Sequence, residues 1–131
     1  VWSGSSLFEL VLWIPLVSAS KTKSMFILSP KKNRYYFDNI KKFNTSEKIY
    51  SHAKKDLNWL NVKFGQGLIF SQNLLHGNVV NEEKTTRWSF NCRFKSLFAP
   101  YDLKKYGEYF TSINMRQASI MGINYDEPKI K

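Results

Sequence analysis

The sequence predicts a β-sandwich or jelly roll with a few helices rather than an α/β layered fold, and three observations predict it. Short segments of apolar or alternating residues recur between Gly, Pro, Ser and Asn turn signals. One intervening segment carries a full helix-start signature. No internal repeat, low-complexity tract or linker divides the chain, so its 131 residues, 43% apolar and 16% aromatic, read as a single domain with a real core.

The run Phe8 to Val17 is rich in Val, Leu, Ile and Trp, too short for a helix and interrupted by Pro15, and reads as a largely buried strand. Its pleat puts Phe8, Leu10, Leu12, Ile14 and Leu16 on one side. Glu9, Val11 and Trp13 lie on the other, which is the side expected to be polar or ligand-facing. Ser24 to Leu28 fits a second strand, ended by Ser29-Pro30. Lys31 to Asn44, basic, aromatic and irregular, reads as a loop over the mouth of the barrel. Asn44 and Glu47 match the N-cap and N3 pattern, and Ile49, Ala53 and Leu57 follow at helical spacing, which predicts a helix over 45–57. Leu60 to Phe64 alternates, Gly65-Gln66-Gly67 turns and Leu68 to Phe70 follows, a strand, turn, strand unit. Arg87 to Phe94 alternates again, 103–110 reads as a short helix, and the tail from Ser119 carries no clear signal.

Composition narrows the function. The most apolar stretch, Leu7 to Val17, is eleven residues long with Glu9 and Pro15 inside it, short of the roughly 20 apolar residues of a spanning helix. No leader pattern opens the chain, and the N-terminus at Val1 reads as cut. Cys92 is the single cysteine, so neither an internal disulfide nor a cysteine-based zinc site is expected, and a reducing, cytoplasmic setting fits. The formal charge of +10 would suit a polyanion. The lysines, however, come as scattered pairs such as Lys31-Lys32 and Lys104-Lys105, the pattern of a solvated surface, which makes nucleic acid the less favoured partner.

Two segments carry the chemistry. His76 follows an apolar run and precedes Gly77, where an imidazole can enter a cavity with backbone close by; a metal ligand and a structural histidine both fit that position. In a strand, Arg87, Ser89, Asn91 and Arg93 share one face, and Trp88, Phe90, Cys92 and Phe94 share the other. If the aromatic face is buried, the polar face lines an internal cavity. The alternative is an amphipathic strand with its arginines in water.

An apolar run ending in Leu-Leu-His-Gly, with an arginine eleven residues after the histidine, resembles the distal histidine and 2-oxoglutarate-binding arginine of the phytanoyl-CoA dioxygenase-like oxygenases. The order of Leu12-Trp13-Ile14-Pro15-Leu16, Met25-Phe26-Ile27-Leu28-Ser29-Pro30 and Gly65-Gln66-Gly67-Leu68-Ile69-Phe70 is similar to that family, and most similar to its branch in surface-carbohydrate biosynthesis. The resemblance covers 2–94 and leaves 95–131 as a C-terminal extension. It implies a double-stranded β-helix, cupin-like jelly roll, incomplete at the N-terminus, with Fe(II) and 2-oxoglutarate as cofactor and co-substrate. His76 is then an iron ligand and Arg87 the bidentate clamp for the far carboxylate, with Trp13 lining the same pocket. Arg93 is implied as a substrate contact or alternative clamp, and Asn91 and Ser89 as substrate or supporting donors.

The family holds iron with a His-x-Asp pair plus the distal histidine. No His-x-Asp or His-x-Glu occurs here, and His52, inside the predicted helix, does not replace it. The pair is expected just upstream of Val1. The implied reaction oxidises an unactivated C–H bond of a small molecule, a saccharide or nucleotide-linked sugar by branch. The rival expectation is a basic, aromatic-rich β domain that holds nucleic acid or glycan without chemistry.

Overall fold

A computed structural model describes residues 5–113 and 117–125. Among the described residues six strands form two antiparallel sheets of three. In the first, β1 (Leu10–Pro15) lies between β4 (Leu68–Ser71) and β6 (Ser89–Phe94). In the second, β2 (Phe26–Ile27) lies between β3 (Asn58–Trp59) and β5 (His76–Gly77). Helices α1 (Pro30–Asp38) and α2 (Ser46–Ala53) follow β2, and α3 (Gln117–Ile123) comes last. No described helix is long and apolar enough to cross a membrane.

The β1 register pairs Val11 with both Phe70 and Arg93, and Trp13 with Leu68 and Asn91. Antiparallel partners share a face, so these side chains project together. Val11, Trp13 and Phe70 join Ala19, Met25 and Val62 in the main core, with Ile27, Leu60 and Leu74 packed against it. Residues of both sheets thus share one apolar cluster. A second cluster, Leu28, Tyr36 and Ala53, seats the two helices against the end of β2.

Several expectations need correction. The side of β1 that carries Glu9, Val11 and Trp13 is the core side, not a polar surface: Val11 is fully buried and Glu9 is 1% exposed. Leu10 and Leu16 on the opposite side are half exposed, as are Ile69 and Phe90 on the flanking strands, and Trp88 is more exposed still. The Trp88, Phe90, Cys92 and Phe94 face is therefore the outer face of the sheet rather than the buried one.

The run read as a loop, 31–44, contains α1. Pro30 occupies the start of this helix, where its missing N–H costs nothing and its fixed φ suits the first turn. Helix α2 is capped one residue later than expected, by Thr45, whose hydroxyl accepts the Lys48 amide at 3.3 Å. The strand expected over 60–64 is shifted to β3, and Val62 makes an isolated bridge to Ala19. The turn after it needs Gly65, at φ +85°, with Gln66 N–H donating to Lys63 O. Over 103–110 there is no helix; Tyr106 and Phe110 form a parallel bridge around Gly107.

Candidate functional site

A cavity of about 520 Å³ opens between the helices and the end of the sheets, within the size range of small-ligand pockets. Phe26, Tyr36, Phe37 and Tyr50 form an aromatic wall; His76 and Arg93 are its basic members, and Glu47 its acidic one. Glu47 serves its own helix. Hydrogen bonds to its backbone amide and to Ser46 and Thr45 at the helix start hold its carboxyl below the usual range.

His76 sits in β5 opposite Ile27 of β2. Gly77 is required beside it, because a Cβ there would lie 2.9 Å from Phe26 Cζ. The Phe70 ring meets the imidazole edge to face at 4.8 Å. His76 Nδ1 lies 2.6 Å from the Leu74 carbonyl. A carbonyl oxygen only accepts, so this bond requires the proton on Nδ1 and leaves the lone pair on Nε2. Burial lowers the imidazole pKa below its ordinary 6.5; the Leu74 bond works against that shift and the Arg93 charge adds to it. The ring is held neutral, in the tautomer that presents Nε2 as a ligand or base.

Arg93 reaches the same cavity from β6. Its Nη1 contacts Ser5 Oγ and lies 3.5 Å from Glu9 Oε2. The other Glu9 oxygen accepts the Ser6 amide at 2.6 Å, so this buried carboxylate is satisfied from two sides. Lys104 Nζ donates to the same Ser5 hydroxyl at 2.9 Å. Burial lowers the Lys104 pKa, the Arg93 charge lowers it further, and Glu9 offsets part of the effect. Two cations thus face one carboxylate, and among the described residues both hydrogen-bond contacts of Arg93 use Nη1, so its Nε and Nη2 edge has donors to offer an anion.

The other expected site residues lie elsewhere. Arg87 precedes β6 and does not line the cavity; its Nη1 donates to the Ser24 carbonyl at 3.0 Å and the Lys23 carbonyl at 3.4 Å. It shares the pleat parity of Arg93, but six residues of extended chain separate them by roughly 20 Å. Trp13 packs in the main core on the inner face of β1, away from the cavity lining. Asn91 and Ser89 are exposed at the far end of β6. His52 is exposed on α2, with Nδ1 2.9 Å from the Lys48 carbonyl.

Sequence reasoning missed Asn33, Gln72 and Asn73. Gln72 and Asn73 lie in the turn between β4 and β5, and each keeps a buried amide oxygen without a partner among the described residues. The polar pair directly ahead of Leu-Leu-His-Gly was the available signal. Asn33 and Tyr36, three residues apart, are the buried positions of α1, a stripe too narrow to stand out in a basic segment.

Among the described residues no group of three His, Cys, Asp or Glu side chains could hold a metal ion. His76 has the correct tautomer for one ligand position, but one imidazole is not a facial set of three. The described residues do not by themselves fit an iron centre. No protein-family model matches the chain, and no curated protein or solved structure matches it.

Proposed function

We propose that this chain forms part of a jelly-roll oxygenase of the phytanoyl-CoA dioxygenase-like kind, contributing one metal ligand and the co-substrate clamp to a site completed by a His-x-Asp pair outside the 131 residues. The observation that supports it is that His76 and Arg93 line one cavity, with the imidazole pKa lowered by burial. In this reading His76 offers its Nε2 lone pair, Arg93 receives the far carboxylate of 2-oxoglutarate on its Nε and Nη2 edge, and the aromatic wall receives a small-molecule substrate. Fe(II), when bound, supplies the oxygen chemistry. A saccharide or nucleotide-linked sugar and a cytoplasmic setting belong to the same proposal.

The geometry favours Arg93 over Arg87 as the clamp, because only Arg93 shares the cavity with His76. Calorimetric titration with 2-oxoglutarate tests this in the chain as it stands. Arg93→Lys is expected to weaken binding by about tenfold, because an ammonium cannot reproduce a two-bond fork. Arg87→Lys is expected to leave it unchanged. The reverse pattern, or equal weakening by both substitutions, overturns the assignment.

The binding-module reading has less support. A stacking platform needs open aromatic faces; lysines lie over Tyr101 and Tyr109, but Trp88, Phe90 and Phe98 are exposed, so what favours the oxygenase reading is the cavity shared by His76 and Arg93.

A further inference from the structure

We infer that Asn33, on α1, is a positioning residue that fixes which nitrogen of His76 carries the proton. Asn33 is 8% exposed. Its Oδ1 accepts the Leu75 amide at 2.6 Å, and its Nδ2 donates to the Asn73 carbonyl at 2.9 Å. The side-chain amide therefore holds the residues on either side of Leu74, in the manner of one rung of a sheet. Leu74 is the residue whose carbonyl receives Nδ1–H of His76. Further backbone bonds secure the same turn: Gln72 N–H to Glu9 O at 3.0 Å, Leu74 N–H to Ser71 O at 3.0 Å, and Leu28 N–H to Leu75 O at 2.8 Å.

None of those backbone bonds sets the direction of the Leu74 carbonyl from the helix side, and Asn33 does. A peptide plane is rigid, so fixing the Asn73 carbonyl on one side of Leu74 and the Leu75 amide on the other restricts the rotation of the Leu74 carbonyl between them. The chain of causes runs from Asn33 to the 73–75 backbone, to the Leu74 carbonyl, to Nδ1–H, and so to the lone pair on Nε2. Orientation of a ligand or base through its second nitrogen is a general device of histidine sites. Here the orienting group acts one step further out, through the backbone. Its usefulness rests on the reading of His76 as a functional ligand, but the tautomer lock itself needs neither iron nor 2-oxoglutarate.

Nitrogen-15 spectra of the histidine side chains in the free chain test it. In the unaltered protein His76 is expected as the Nδ1–H tautomer, with Nε2 unprotonated at neutral pH. Asn33→Ala is expected to give a mixture of tautomers, because the Leu74 carbonyl then no longer holds Nδ1–H in one direction. Asn33→Asp keeps the acceptor for the Leu75 amide and loses the donor to Asn73, and is expected to produce a smaller change. It also serves as the test should the alanine variant not fold. Tyr36→Phe separates this role from general loosening of α1. It removes the buried hydroxyl that contacts His52 O at 3.2 Å and Asp56 Oδ2 at 3.3 Å without touching the turn, and should leave the His76 signals in place. An unaltered His76 tautomer in both Asn33 variants overturns the inference, as does an equal shift in Tyr36→Phe.

Discussion

Arg93 and Arg87 stand on the same face of one strand and its approach, yet they live in different physical settings. Arg93 has a side chain 20% exposed, pairs with a buried carboxylate and lines the cavity that holds His76. Arg87 rests on two backbone carbonyls at the opposite end. The pleat decides the side to which a residue points. Position along the strand decides what it meets there, and only the fold sets that.

The largest effect expected from this contrast is on stability. Arg93→Met removes the ion-pair partner of Glu9, 1% exposed, and leaves it the Ser6 amide and the charge of Lys104, which makes no direct contact with it. Breaking a buried ion pair by removing one partner costs about 3 kcal/mol, to be read from urea unfolding. Adding Glu9→Gln should recover most of the loss, and failure to do so would show that the pair is not what Arg93 stabilises.

A second prediction uses pH. Because the folded pKa of His76 lies below 6.5, the unfolded chain binds more protons than the folded one in the window beneath 6.5, and stability must fall as pH drops through it. Thermal melts from about pH 7.5 to about pH 5 should show that decline, and His76→Asn should flatten it relative to the unaltered protein. An identical slope in the variant would place the titration on other groups. The smallest effect belongs to Arg87→Gln. Loss of its hydrogen bonds to the Ser24 and Lys23 carbonyls should cost no more than about 1 kcal/mol, and the His76 titration should not move. A large loss there would erase the distinction between the two arginines.

The three strands of the first sheet were legible because FELVLWIPLV, GLIF and WSFNCRF are apolar or alternating runs with turn residues around them. Which side of β1 faces the core was not, because apolar residues occupy both sides and parity alone has no preference. The one charged residue, Glu9, pointed the wrong way as a signal. It is buried because Ser6 and Arg93 satisfy it, and that partnership spans 84 residues of sequence. Helix α1 was hidden by Pro30, which ends a strand and begins a helix with equal ease. For the site, His76 was legible from its apolar approach and following glycine. Its companion was not, since Arg87 and Arg93 share parity and the distance along the strand does not appear in a residue pattern.

The missing side chain at Gly77 acts as a spacer for the cavity. The Phe26 ring fills the room that a Cβ would take, and the same ring stands 5.4 Å from both Tyr50 and Trp59. Any atom added at position 77 must displace Phe26, and Phe26 must then press on Tyr50 inside the cavity and on Trp59, which is partly open to solvent. The aperture available to a ligand is therefore tied to one absent methyl group.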